Sequence, residues 1–424
     1  MAMTALDPLA ERSLAVLRTL FGARLGRDMG ARLWDGTAVG DGDERFTLAV
    51  NAPFALRAAF TPPLDANPGR AFVEGWLDIA GDTEAALDAC ERAVANLPKL
   101  ALARLFTLLA RLPSPPRIRD DGAARLHGRR HSRRRDAAAI GFHYDQPVAF
   151  YRSFLGSDLV YSCAYWDDGV ADLDGAQHAK LDLVLDKLRL RAGQTFLDIG
   201  CGWGALVIRA ARRGARALGI TLSRRQHEEA VRRIAEAGLA DRARVELRDY
   251  RELGEQRFDA IASVGMVEHV GRERLRKYFA SAYRALRDGG LFLNHGIVSQ
   301  ARDGKGYRAG RDFLGRYVFP DGDLPPLDVS LRAAEASGFE VRDIENLREH
   351  YARTLRTWVA NLRAAHADAV AVTDERTERI WRLYMNASAR GFALGRLGLM
   401  QTLLAKPRAD GTSDVPPTRR DLYR

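Results

Sequence analysis

The stretch Leu197–Gly204, LDIGCGWG, decides the fold. It closes a strand-like run, TFLDIG at 195–200, and opens a helical one. Gly200, Gly202 and Gly204 form a GxGxG at that junction. Glycines there allow a tight turn and let a ligand approach the backbone. The spacing is not GxGxxG, and no GK[ST] follows for a phosphate. Asp198 at the strand end and the compact glycine pattern suit a nucleoside amino acid better than a pyrophosphate. The next strand ends in GITLSRRQ (219–226), without the acid usually placed for a ribose, so Thr221 and Gln226 would serve. DYR at 249–251 ends a third strand and puts the acidic residue Asp249 where a purine is contacted. Together these features favour S-adenosylmethionine over a dinucleotide.

Around this loop the pattern is regular. Strand-like runs at 195–200, 216–221, 244–250, 258–265, 291–297 and 339–347 alternate with helical stretches. That alternation predicts an α/β domain with a parallel sheet over 137–406. Residues 1–112 read as a smaller α+β domain with a strand at 46–51. Glycines and acids in GRAFVEGWLDIAGD (69–82) suggest turns. A helix is expected over 92–112, packing Leu102, Leu105, Phe106, Leu109 and Leu112 on its own domain, although such a helix could also lie on a membrane. PSPP at 113–116 stops it. The basic run GRRHSRRRD (128–136) reads as part of an exposed linker over 113–136, and 407–424 as a mobile tail.

The chain has 424 residues, 46% of them apolar, which favours two domains. Cys90, Cys163 and Cys201 are too few and too scattered for a disulfide framework, and no metal-ligand spacing occurs. A reducing cytoplasm is the expected setting. There is no signal peptide pattern and no apolar run long enough to span a bilayer. The net charge of +10 points to an anionic partner or to an arginine-rich composition. The basic run lacks aromatic interleaving and the fourth strand lacks an NPPY-like motif, so nucleic acid is not expected. An anionic membrane surface is the better match, with the protein attached peripherally at the inner face.

Further motifs occur in order: HYD (143–145), FY (150–151), YSCAYW (161–166), TLSRRQ (221–226), VEHVG (267–271), HGI (295–297), HYARTLRTW (350–358) and RLYMNASA (382–389). With the glycine loop, this set resembles the cyclopropane fatty acid synthase family, which includes the mycolic acid cyclopropane synthases. The strong likeness covers about 140–405, and GRAFVEGWLD is a weaker match to the longer bacterial synthases. The resemblance implies a seven-stranded Rossmann-like methyltransferase sheet with a helical lipid-site cover. It implies methylene transfer from S-adenosylmethionine to the cis double bond of an unsaturated phospholipid, by a protein that can be a homodimer. Donor binding is carried over to Tyr161, Ser162, Asp198, Gly200, Gly202, Gly204, Thr221, Gln226, Asp249 and Tyr250.

An alkene is a poor nucleophile, so the donor must be held close and in line in a dry pocket. Methyl transfer leaves a carbocation, and a base must then take a proton from the new methyl. The resemblance implies bicarbonate as that base, caged by Cys163, Glu268, His295, Ile297 and Tyr351, with Cys163 and Ile297 contacting through the backbone. Taken singly, Cys163 is as readily a small buried hydrophobe, His295 a core histidine and Tyr351 a packing residue. Ser388 stands where relatives often carry a cysteine, which argues against a catalytic thiol there. A C-methyltransferase giving a methyl or methylene branch and a small-molecule N-methyltransferase are the alternatives.

Overall fold

A computed structural model of the chain describes residues 7–118, 120–300, 307–308 and 312–422. Two compact units emerge: 1–123 with 311–318 and 374–387, and 124–310 with 319–373 and 388–424.

In the first unit, helix α1 (Pro8–Phe21) begins on the Asp7 carboxylate, which accepts from the Leu9 amide. Strands β1 (Met29–Leu33), β2 (Ala38–Val39), β3 (Phe46–Val50) and β4 (Leu77–Gly81) form a sheet in the order β2-β1-β3-β4. Between β3 and β4 lie α2 (Ala55–Phe60) and α3 (Asn67–Val73). Thus 69–82 is a helix end and a strand joined at Gly75, and not the series of turns expected. The helix expected over 92–112 is two: α4 (Thr83–Ala95) and α5 (Lys99–Ala110), which meet at 111°. Pro98 between them has no N–H to continue the ladder. Leu105, Leu109 and Leu112 enter the core with Leu14, Leu17 and Leu48, whereas Leu102 and Phe106 stay exposed. Among the described residues no single helix is long and apolar enough to cross a membrane.

The second unit is built on a seven-stranded sheet: β5 (Thr195–Ile199), β6 (Arg216–Thr221), β7 (Ala243–Leu247), β8 (Phe258–Val264), β9 (Leu286–Ser299), β12 (Glu340–Asn346) and β13 (Leu397–Ala405). A short ribbon, β10 (Tyr307–Arg308) with β11 (Asp323–Leu324), stands apart from it. The sheet order is β12-β13-β9-β8-β5-β6-β7. β5 to β9 pair in parallel, while β13 is antiparallel to both β9 and β12. The order reverses between β5 and β8, so a crevice opens beyond their carboxyl ends. Ser223 caps the helix after β6, accepting from the Gln226 amide. β13 is unforeseen by the sequence reading. Its near-continuous apolar run is what a strand buried on both faces requires, and periodicity alone does not separate such a run from a buried helix.

Two further expectations are corrected. The basic run over 128–136 is largely anchored: His131 is buried, Arg135 forks onto Asp321, and Ser132 starts the helix Arg133–Tyr144. A carboxylate nearly two hundred residues away in sequence supplies the anchor. The tail is also held, for Arg419 pairs with Asp343 and Asp421 with Arg189.

Gly219 in β6 packs so tightly that a Cβ there would lie 2.7 Å from Cys201 Sγ and 2.8 Å from Val207 Cγ2. The cysteine in the glycine loop is therefore sized by β6. Gly219→Ala is expected to destabilise the protein by about 1–3 kcal/mol in urea unfolding, as overpacking does.

Candidate active site

The crevice beyond β5 and β8 holds a cavity partly open to solvent. Asp198, Gly200, Gly202, Thr221, Gln226, Tyr250, Tyr161 and Ser162 line it. Gly204 and Asp249, also expected at the donor site, do not. Gly204 turns the chain into the helix Ala205–Arg212 at φ +83°, where a Cβ would meet Ala230 at 3.1 Å. Asp249 is spent on Arg251, accepting from its amide and its Nε at 2.8 Å and its Nη2 at 2.6 Å. It thereby holds Arg251, which itself lines the cavity.

The lining fits a nucleoside amino acid on two observations. At Gly202 an added Cβ would meet nothing within 4 Å, so the backbone is open to a ligand. The buried Asp198 Oδ1 has no protein partner and suits an ammonium donor. Burial pushes the Asp198 carboxyl up to about 7, against the pull of Lys180. Lys180 was not singled out by the sequence. It is a buried lysine in the middle of a helix, Leu173–Lys187, with its Nζ donating to Ser162 Oγ at 2.9 Å. Burial lowers it to about 8, while Cys163 and Asp198 hold it up.

Aromatic side chains close the cavity on the other side. Tyr161 Oη lies 3.2 Å from His143 Nε2, and its ring packs 5.3 Å from Trp358. Tyr144 Oη meets His269 Nε2 at 3.2 Å. Burial lowers His269 to about 4, so it is neutral.

The five residues expected to form the anion cage lie on neighbouring elements. Glu268 follows β8 in the turn Val267–His269, and its Oε1 accepts from the Ile297 amide at 2.7 Å. Its Oε2 is buried with no protein partner. Burial pushes this carboxyl up to about 7, although the Ile297 amide opposes the shift. Ile297 faces Leu399 across β9 and β13, and the Leu399 carbonyl accepts from the Leu347 amide. The Leu347 carbonyl in turn accepts from the Tyr351 amide at 3.0 Å and lies 3.8 Å from Cys163 Sγ. Burial drives the Cys163 thiol well up, so it stays protonated. Tyr351 is buried with its ring 4.7 Å from Phe392.

His295 Nε2 is a second buried atom without a protein partner. Which proton it carries follows from its neighbours. Lys187 Nζ donates to Gln401 Oε1 at 2.6 Å. An ammonium has no acceptor, so the amide oxygen must face it. Gln401 Nε2 therefore faces His295 Nδ1, at 3.2 Å, and donates to it. The network assigns the imidazole proton to Nε2. Burial and the charges of Lys180 and Lys187 keep the ring from taking a second. His295 is thus a neutral donor whose one lone pair is already used.

Lys180, Lys187 and Gln401 are the buried polar residues of this cluster that sequence reasoning missed. Gln401, inside the otherwise apolar run LGLMQTLLA, was an available signal, whereas the two lysines sit in a charged helix and gave none.

The sequence profile described as mycolic acid cyclopropane synthetase matches residues 131–402. A "Probable fatty acid methyltransferase" of Pseudomonas putida is 41% identical over 93% of this chain and 95% of its own length. A second protein so described, from Mycobacterium tuberculosis, is 36% identical over 96% of this chain and 98% of its own length. Among solved structures, the cyclopropane synthase MmaA2 from Mycobacterium tuberculosis is 32% identical with a TM-score of 0.60, covering 64% of this chain and 98% of its own. The mycolic acid cyclopropane synthase CmaA1, complexed with SAH and CTAB, is 33% identical with a TM-score of 0.59, covering 63% of this chain and 97% of its own.

Gln401→Leu removes the donor that fixes His295. The proton is then expected to spread over both ring nitrogens, read from two-bond proton–nitrogen correlations of histidine-labelled protein, with His295→Asn identifying the signals. Leaving Lys187 short of a partner should also cost about 1–3 kcal/mol of stability.

Proposed function

The chain belongs to the mycolic acid cyclopropane synthetase family, and from that premise we propose that it converts the cis double bond of an unsaturated phospholipid acyl chain into a cyclopropane ring, using S-adenosylmethionine and bicarbonate. At the coarser level it is an S-adenosylmethionine-dependent lipid methyltransferase. The observation that carries the finer reading is the pair of buried polar atoms without a partner among the described residues, Glu268 Oε2 and His295 Nε2, with Glu268 bonded to the Ile297 amide two positions along β9 from His295. One is an acceptor, or a donor when protonated, and the other can only donate. Such a pair suits a small oxyanion that carries a proton of its own.

When bound, S-adenosylmethionine supplies an electrophilic methyl on a sulfonium, and bicarbonate supplies a proton acceptor. The alkene π pair forms the new carbon–carbon bond as the carbon–sulfur bond breaks, which leaves a positive charge on the neighbouring carbon. Loss of a methyl proton to a base then lets the freed pair close the ring. Asp198 and the open backbone at Gly202 would hold the donor. Tyr144, Tyr161 and Trp203, which line the cavity, would exclude water, and aromatic faces tolerate a cation nearby. His295 is not the base, because Gln401 already uses its lone pair. Cys163 is not a nucleophile, because burial keeps its thiol protonated. Glu268 remains to orient the anion through a shared proton.

The names of the relatives favour a second reading, methyl transfer that ends in a branched chain. The two separate by mass spectrometry and proton NMR of phospholipid acyl chains after incubation with methyl-deuterated S-adenosylmethionine. Two retained deuteriums with high-field ring protons, and dependence on added bicarbonate, are expected. Two deuteriums with an exocyclic alkene, or three with a methyl branch, would establish the second reading. No label in lipid would refute both.

Glu268→Gln keeps the Ile297 contact but cannot share an acidic proton. It is expected to lower turnover at least a hundredfold, with S-adenosylmethionine affinity within a few-fold of wild type. Its stability effect has a defined sign. The Glu268 carboxyl is raised in the fold, so the native protein binds its proton more tightly and loses stability as pH rises from about 4.5 to about 7. The variant does not titrate there. Its thermal midpoint should therefore exceed that of wild type by more at pH 8 than at pH 5, approaching a few kcal/mol in stability.

A further inference from the structure

Helix α5 packs only one side. Leu105 and Leu109 face the core, while Leu100 is 88% exposed, Phe106 40% and Leu102 38%. With Val94 on α4 these are four of the eight large apolar side chains exposed among the described residues, and all four fall within thirteen consecutive positions. On a helical projection Leu102, Phe106 and Ala110 form one row, with Lys99 and Ala103 beside it. Leu100 lies across the exposed sector from Leu102, and Arg104 and Arg111, both exposed, stand beside it there.

The charge is as uneven as the hydrophobicity. From Arg92 to Arg119 the sequence has six basic residues and no Asp or Glu. A groove opens at the α4–α5 corner, with Leu97 and Ala101 in its wall and Arg24, Asn96 and Arg92, the last paired with Asp88, among its polar lining. An exposed sector with an apolar row along one edge, and Leu100 with two arginines along the other, is the surface of a helix that lies in a bilayer interface. A soluble protein partner of acidic character would match the charge but not the isolated, fully exposed Leu100 at the corner.

We propose that α5 and the α4–α5 corner are the membrane-docking face of this protein, and that its partner is a bilayer containing anionic phospholipid. Leu100, Leu102 and Phe106 enter the acyl boundary, and Lys99, Arg104 and Arg111 lie at the level of the phosphates. The inference rests on the lipid-substrate reading for its purpose, but vesicle binding is measured without donor and so fails or succeeds independently of the reaction.

The test is sedimentation of the full chain with phosphatidylglycerol-containing vesicles, against pure phosphatidylcholine vesicles. Wild type is expected to bind the anionic vesicles and to lose binding as salt rises. Leu100→Glu/Phe106→Glu and Arg104→Glu/Arg111→Glu should each lower partitioning by about tenfold or more. S-adenosylmethionine affinity and the far-ultraviolet circular dichroism at the assay temperature should stay at wild-type values; the thermal midpoint of the Leu100→Glu/Phe106→Glu variant should fall, because the Phe106 side chain is only 40% exposed. Failure of wild type to bind, or unchanged binding by both variants, would overturn the proposal. So would a shift from dimer to monomer in analytical ultracentrifugation with vesicle binding intact, because α5 would then face a second copy of the chain.

Discussion

The contact on which the site depends is the amide of Gln401 held between Lys187 and His295. Lys187 ends one helix, Glu345 lies in β12, Gln401 in β13 and His295 in β9. A buried ammonium must find acceptors, and it finds the Glu345 carboxylate and the Gln401 carbonyl. That requirement fixes which way the amide points, and the amide fixes the imidazole. A neutral donor is thereby delivered to the end of a central strand by three polar groups, none of which touches the cavity. The same strand pair carries Ile297, whose amide positions Glu268. The edge of the sheet and the chemistry at its centre are thus one hydrogen-bonded system.

The surrounding electrostatics work against stability. Asp198 and Glu268 are both buried, and both carboxyls are pushed up to about 7. Neither has an ion-pair partner in contact, although Lys180 stands near enough to Asp198 to lower it. Such groups cost free energy in the folded chain at neutral pH. A core chosen for stability would replace them. Their unpartnered oxygens are better understood as positions left for ligands that bring their own donors, a common source of the trade between stability and activity.

The sequence disclosed the parts of the fold whose signal is local. The glycine loop, β6 and β8 need only neighbouring residues to be recognised. β13 escaped because a strand buried on both faces has no alternation to read. Lys180, Lys187 and Gln401 escaped because their partners lie 18, 158, 214 and 106 positions away. Leu102 and Phe106 were placed in the core because apolar helical spacing marks a helix without saying which face is covered. Asp249 shows the opposite limit: its place at a strand end was read correctly, but Arg251, two residues on, takes both carboxylate oxygens.

The reaction proposed above would run through a carbocation, and such a reaction constrains a site by what must be missing as much as by what is present. Any free lone pair near the cationic carbon would trap it and end turnover. Around this cavity the candidates are disarmed one by one. Burial keeps the Cys163 thiol protonated, and Ala164 and Leu347 carbonyls surround it. His295 presents N–H in place of a lone pair. His269 is neutral, with its Nε2 engaged by the Tyr144 hydroxyl. Lys180 donates to Ser162, and burial lowers it only to about 8, so it remains mostly an ammonium at neutral pH. What stays able to accept a proton is the pair of raised carboxyls, Asp198 and Glu268. A weak, oriented oxygen base is the acceptor that can remove a proton from a methyl group without first bonding to the cation beside it, and on the proposed reading Glu268 and His295 would hold one.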